Sequence, residues 1–329
     1  MKIALDAMGG DSAPDVAVKG GILAERDFPE IELIYVGDQK RIQELYALHQ
    51  GPKSQPHIVH ASQTVEMGDT PLGALREKPD NSISKALQLH KEGKAQAFVS
   101  AGNTGACVAA ATLTLRMLEG IQRPGIACSF PSAKGTCLVL DCGANVNARP
   151  RHLLDYAVLG KAFRKYVQGK DQVRVGLLNI GEEDAKGNDF TKECFELLNK
   201  HRDRLNFIGN VESRDIFRGD VDVVLCEGFV GNSLLKGAEG LAKMLMGGIK
   251  GVLTSNLKTK MAALLLRKEL KGFASGFDPN LVGGAPLLGV NGHVVISHGS
   301  STYIGIRNAV RTARDMINGD LNANIQKML

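Results

Sequence analysis

Ala97-Phe98-Val99-Ser100-Ala101-Gly102-Asn103-Thr104-Gly105-Ala106-Cys107 is the stretch that decides the fold. Ala97-Phe98-Val99 reads as a buried strand, Ser100–Gly105 as a glycine-rich turn, and the small and aliphatic run Ala106–Leu115 as a tightly packed helix. A strand, a glycine turn and a helix N-terminus together can hold an anion, because the first helical N–H groups lack internal partners and the dipole favours negative charge. Ser100, Asn103 and Thr104 add side-chain donors, and Gly105 lets the backbone approach closely. A tight turn with Asn103 or Thr104 as the helix cap accounts for the same residues.

The pattern repeats outward in both directions. Strand-like runs at Ile3–Asp6, Glu32–Val36, Ile58–Ala61, Gly125–Phe130, Cys137–Asp141, Val173–Asn179, Asn206–Gly209, Val221–Cys226 and Val294–His298 alternate with helical ones. The helix candidates are Pro14–Glu25, Lys40–Leu48, Ser82–Glu92, Thr104–Leu118, His152–Val167, Phe190–Lys200, Gly231–Met246 and Ser301–Met316. This alternation predicts an α/β fold, a three-layer α/β/α sandwich around a mostly parallel sheet. Residues 1–329 read as a single unit of two lobes around a cleft, with Arg149-Pro150-Arg151 as a candidate hinge.

In such sheets ligands sit beyond the carboxyl ends of the strands. Polar, glycine-rich turns fall there: Asp6-Ala7-Met8-Gly9-Gly10-Asp11, Asp141-Cys142-Gly143-Ala144-Asn145, Asn179–Asn188, Glu227–Ser233 and His298-Gly299-Ser300-Ser301. Together they predict one cleft. Asp6, Asp11 and Asp141 either orient lysines or order the turns. Lys186 either neutralises an incoming anion or is a solvated loop lysine. Asn232 either donates to a developing oxyanion or caps its helix. His298 is a proton shuttle or a core histidine.

Composition sets bounds. The 329 residues are 43% hydrophobic with 38 glycines, which suits tight turns around a ligand and a sizeable core. The chain enters a strand pattern at its first residues, without a signal-peptide pattern or a membrane-spanning run, so the expected location is the cytoplasm. The net charge of +5 suits acidic partners but, with no basic-aromatic stripe, argues against nucleic acid. The six cysteines form no C-x-x-C and read as buried thiols; Cys137 and Cys142, five apart on one apparent strand, are expected on opposite faces. His57/His60 and His293/His298 show no metal spacing, and each pair is expected on opposite faces of a strand. No G-x-G-x-x-G, G-x-x-x-x-G-K-[ST] or G-x-S-x-G is present, so no dinucleotide, P-loop or serine-nucleophile argument can be made.

Residues 250–271 stand apart as a basic amphipathic helix. Leu253, Leu257, Met261, Leu264 and Leu265 follow helical spacing, flanked by Lys250, Lys258, Lys260, Arg267, Lys268 and Lys271. Such a helix lies on an anionic membrane surface or packs on a partner subunit.

With these residues in hand, the chain resembles the bacterial acyl-acyl-carrier-protein:phosphate acyltransferases of phospholipid synthesis. The likeness runs from Met1 to the C-terminal helices. It rests on D-A-M-G-G-D at Asp6–Asp11, S-A-G-N-T-G at Ser100–Gly105, D-C-G-A-N at Asp141–Asn145 and N-I-G-E-E-D-A-K-G-N at Asn179–Asn188. G-F-V-G-N at Gly228–Asn232, G-G-A-P-L-L-G at Gly283–Gly289 and H-G-S-S at His298–Ser301 complete it. Glu227 departs from the aspartate that the family usually shows, and Ser233 from an aliphatic residue.

The resemblance implies a fold related to phosphotransacetylases and isocitrate-dehydrogenase-like proteins, a homodimer, and peripheral membrane association. It implies transfer of an acyl group from acyl-acyl-carrier protein to inorganic phosphate, the product feeding a membrane glycerol-3-phosphate acyltransferase. Phosphate is then the nucleophile, and the scheme calls for no cofactor and no metal. Lys186 would stabilise charge and Asn232 the carbonyl oxygen. Ser100, Asn103, Thr104 and Gly105 would cradle phosphate, with Gly9, Gly10, Asp11, Asn145 and His298 around the substrate. The alternative is a phosphotransacetylase-like enzyme that uses acyl-coenzyme A.

Overall fold

The computed structural model describes residues 1–276 and 278–329. Its strands are β1 (Lys2–Asp6), β2 (Glu32–Gly37), β3 (His57–His60), β4 (Ala97–Ser100), β5 (Gly125–Ser132), β6 (Gly135–Leu140), β7 (Val175–Leu178), β8 (Phe207–Val211), β9 (Val223–Leu225), β10 (Ala285–Leu288) and β11 (Val294–Ile296). They form one eleven-stranded sheet in the order β3-β2-β1-β4-β11-β10-β5-β6-β9-β7-β8. The first half carries helices α1 (Asp15–Asp27), α2 (Gln39–Leu48), α3 (Pro71–Glu77), α4 (Ser82–Lys91) and α5 (Thr104–Leu115). Then come α6 (Pro150–Ala162), α7 (Asp189–Asn199), α8 (Arg202–Leu205), α9 (Ser213–Arg218), α10 (Gly228–Leu253), α11 (Leu257–Leu265), α12 (Arg267–Ser275), α13 (Pro279–Val282), α14 (Tyr303–Asn318) and α15 (Leu321–Met328).

Strand alternation builds the layers. In β1, Ile3 and Leu5 point to one core and Ala4 to the other; in β2, Leu33 and Tyr35 oppose Ile34 and Val36. Val18 and Ile22 of α1, Leu153 and Leu159 of α6 and Ile306 of α14 fill the first core. Ile83 and Leu87 of α4 and Ala106, Cys107 and Ala110 of α5 fill the second. The small side chains of α5 let it lie close against the sheet.

The sheet is mixed, with most neighbours parallel. β10 runs antiparallel to both β11 and β5, and β5 antiparallel to β6. Consequently β1–β4 and β11 run one way and β6–β9 the other. The sequence reading contained no strand at Ala285–Leu288, although that strand is the pivot of the reversal.

Other boundaries move for identifiable reasons. The helix expected at Thr104–Leu118 stops at Leu115, where Arg116 takes φ +65°. Arg149-Pro150-Arg151 is the first turn of α6, with Pro150 at a position that needs no N–H donor. α6 passes into a π-helical turn at Phe163–Val167. The segment 250–271 is not one helix: it takes in the end of α10, α11 and the start of α12, broken at Thr254–Asn256, where Asn256 Oδ1 accepts from Thr259 N and caps α11. β6 ends at Leu140, so Cys142 lies beyond it, and both Cys137 and Cys142 fall in the same core layer. His293 precedes β11 and His298 follows it, so neither occupies a strand position.

Candidate functional site

The predicted turns assemble in two groups. At the ends of the neighbouring strands β1, β4 and β11, three turns interlock. Asp6 is buried and accepts from Ser100 Oγ at 2.6 Å and from Met8 N at 3.0 Å. Burial raises the Asp6 pKa, and these hydrogen bonds oppose the rise. Ser100 Oγ in turn accepts from Gly102 N at 2.9 Å, so both of its roles are taken. A Cβ at Gly9 would stand 2.5 Å from Gly102 N, which is why the position is glycine. Gly10 has φ +112°, and Asp11 N donates to the Gly299 carbonyl at 2.8 Å. Asp11 itself is exposed.

Asn103 is buried and occupied. Its Oδ1 accepts from Ala106 N at 3.0 Å, capping α5. Its Nδ2 faces the carbonyls of Glu66, Met67 and Asp69 at 3.0–3.3 Å. The capping reading of Asn103 is therefore what the geometry supports, and its amide ties down residues 66–69. The N–H groups of Thr104 and Gly105 have no protein partner among the described residues.

The second group lies at the ends of β6, β9 and β7. Asp141 is buried; its Oδ1 accepts from Ile126, Gly143 and Ala144 N–H, and its Oδ2 from Asn145 N at 2.7 Å. Burial raises the Asp141 pKa against the pull of these four donors. Asn145 Nδ2 donates to the Pro124 carbonyl and to Tyr156 Oη, and the Asn145 carbonyl accepts from Gly228 N. Glu227 caps α10 by accepting from Phe229 N and Val230 N at 2.7 and 3.0 Å. The longer acid thus serves as an N-cap here.

Asn232 lies in the second turn of α10, its Cβ and Cγ 3.8–3.9 Å from where a Cβ at Gly143 would be. It is exposed, and its side chain has no hydrogen-bond partner among the described residues. Lys186 sits in the loop after β7, with its side chain 49% exposed and a single long contact, 4.0 Å to Glu183. Asn179 Nδ2 donates to the Lys186 carbonyl, and Asn210 Nδ2 to that of Glu183, so the loop backbone is held from two sides.

α10 joins the two groups. Lys236 Nζ lies 3.4 Å from His298 Nε2, while Ser300 N and Oγ meet His298 Nδ1 at 3.1 and 2.8 Å. Because Ser300 N donates to Nδ1, that atom accepts and the ring proton lies on Nε2, the atom nearest Lys236 Nζ. Sequence reasoning passed over Lys236. The signal was present: Lys236 is four residues from Asn232 and shares its helix face. The reversal of the sheet separates the turns, and this long helix reconnects them.

Beyond Ala238, α10 leaves the body. Nothing lies within 4 Å of a Cβ placed at Gly240, Gly247, Gly248 or Gly251. Leu257, Met261, Leu264 and Leu265 are all exposed, and Leu253 is half-buried. No helix among the described residues is long and apolar enough to cross a membrane. Among them, no group of three or more His, Cys, Asp or Glu residues is placed to hold a metal ion.

The architecture is that of the phosphotransacetylases. A Streptococcus pyogenes phosphotransacetylase superposes with TM-score 0.64 at 16% identity, covering 96% of this chain and 94% of that one. A phosphotransacetylase from Staphylococcus aureus gives 0.62 at 17%, with the same coverage. At such identities the likeness speaks for fold alone. Residues 1–324 match the family described as "Fatty acid synthesis protein". Phosphate acyltransferases from Halothermothrix orenii and Desulfitobacterium hafniense are each 46% identical to this chain. The first match covers 97% of this chain and 95% of the relative, the second 100% and 98%. The chain belongs to the phosphate acyltransferase family, and it is a transferase.

Proposed function

We propose that this chain transfers the acyl group of acyl-acyl-carrier protein to inorganic phosphate, releasing the free carrier thiol and acyl phosphate. The observation that carries the reading is the polar face of α10, with the unpartnered Asn232 opposite the Gly143 turn and Lys236, paired with Glu239, beside His298. Phosphate oxygen attacks the thioester carbonyl, a tetrahedral oxyanion forms, and thiolate leaves. Asn232 donates to the oxyanion; one such donor is worth about 3 kcal/mol. Lys186 supplies positive charge to the phosphate. Holding the reactants in register supplies roughly 7–11 kcal/mol in well-oriented systems. Thr104 and Gly105 offer free N–H groups to an anion. Ser100 and Asn103, whose donors are consumed, shape the turn, as do Gly9, Gly10, Asp11 and Asn145.

The exposed apolar arm supports peripheral association with an anionic membrane surface, where the product would reach a membrane glycerol-3-phosphate acyltransferase. The same arm supports a homodimer. A turnover assay with inorganic phosphate and either palmitoyl-carrier protein or palmitoyl-coenzyme A tests the reading. Acyl phosphate and free thiol from the carrier substrate are expected. Turnover with coenzyme A alone would move the protein to the transacetylase chemistry.

A further inference from the structure

The Asp141–Asn145 turn runs directly into a second polar feature. At the start of α6, Arg149 N donates to His152 Nδ1 at 3.1 Å, so Nδ1 accepts and the ring proton lies on Nε2. His152 is only 7% exposed, yet Nε2 has no protein partner among the described residues. Burial, and then the charges of Arg123 and Arg149, hold its pKa below the ordinary 6.5; Arg149 is the N-cap residue of α6, and Arg123 adjoins Pro124, whose carbonyl accepts from Tyr156 Oη of the same helix. Arg151 is engaged, with Nε 3.0 Å from Asp155 Oδ1. Arg123 and Arg149 are exposed and make no ion pair with a described residue.

Arg149 sets a spare cation at the positive pole of a 13-residue helix, which repels it. A buried neutral imidazole with an unpartnered N–H in the first turn of that helix adds a further donor. Nothing of this arrangement favours the empty state, and all of it favours a bound anion. The feature borders the proposed reaction site. Arg123 precedes Pro124, whose carbonyl accepts from both Asn145 Nδ2 and Tyr156 Oη, and Arg149 follows Asn145 by four residues.

We propose that Arg123, Arg149 and His152 Nε2–H form a binding site for a tetrahedral phosphate group, beside the Asp141–Asn145 turn. The proposal rests on the acyl-transfer reading for its two sources: the inorganic phosphate that reacts, or the phosphodiester of the pantetheine arm on which a carrier protein bears its thioester.

The test uses the full-length protein and the variants Arg123→Gln, Arg149→Gln and the double variant. Thermal melting is followed with inorganic phosphate, with phosphopantetheine and with pantetheine, and KM is measured for phosphate and for acyl-carrier protein. The wild type is expected to be stabilised by one phosphate-bearing ligand and not by pantetheine, and the double variant by none. Each lost guanidinium is expected to raise one KM about tenfold. A rise in KM for phosphate assigns the site to the acceptor; a rise for acyl-carrier protein assigns it to the arm. Arg149→Lys, which keeps the charge, is expected to recover part of the loss and so separates binding from a folding defect. No stabilisation of the wild type, or equal stabilisation of wild type and double variant, overturns the site. Wild-type failure to turn over acyl-carrier protein would sink the acyl-transfer reading alone, because the melting arm decides the anion site without turnover.

Discussion

α5 and α10 begin alike and end differently. Each follows a buried strand and a polar turn, and each is capped by a side chain that accepts from its first N–H groups. α5 is 12 residues long, buried through Ala106, Cys107, Ala110 and Ala111, and its cap Asn103 has every polar atom engaged. α10 is 26 residues long, about 39 Å, and buries only Gly228 and Gly231 fully. Its Asn232 amide has no partner among the described residues and stays open to a ligand, while Lys236 is shared between Glu239 and His298. The turn that defines the fold is thus largely consumed in holding it, and the chemistry falls to the helix that the fold holds less tightly.

This division makes definite demands. Lys186→Ala and Asn232→Ala are expected to lower kcat by about 10²–10³-fold, the range for loss of one preorganised donor, with unchanged melting. Activity near wild type in either would remove that residue from the chemistry. Asn103→Ala is expected to act on stability, costing about 2 kcal/mol for the lost cap and orphaned carbonyls, read as a lower urea midpoint. A loss of kcat at unchanged stability would instead make Asn103 a substrate ligand.

At the entry to β9, upstream of α10, the buried Asp222 faces Arg174 and Lys170 at 2.6–3.0 Å. Burial raises its pKa, but hydrogen bonds from Arg174 and Lys170 outweigh that and bring it from 3.8 to about 2. Its folded-state pKa lies below the unfolded value. The resulting stabilisation, about 2 kcal/mol, is therefore present above pH 4 and lost as pH falls through about 2. Acid titration of stability should lose that component in Asp222→Asn. Smallest in stability, the pair Leu257→Glu and Leu264→Glu is expected to shift it by no more than about 0.5 kcal/mol while abolishing sedimentation with anionic vesicles. Retained vesicle binding would leave the arm to subunit contacts.

Much of this was legible in local pattern. The strand at Ala97–Ser100, the helix caps and the glycine turns follow from residue type and period. The reversal did not, because strand direction is a long-range property. Ala285-Pro286-Leu287-Leu288, short and flanked by Gly284 and Gly289, reads as loop until β5 and β11 are there to pair with it. Cys142 was assigned to the wrong face because strand parity was carried past Leu140 into a turn folded around the Asp141 carboxylate. Lys236 was overlooked because a lysine on a helix is ordinary until His298 stands opposite.

The placement of β10 and β11 has a consequence for how the molecule is made. Residues 285–296 occupy the centre of the sheet, between strands that end at Ser100 and begin at Gly125. A chain emerging from the ribosome in order presents β4 and β5 some 160 residues before the strands that fill the gap between them. Until then each half exposes an unpaired strand edge, an invitation to mispairing. Vectorial synthesis therefore leaves this protein in two unsealed pieces until residues 285–296 have been made.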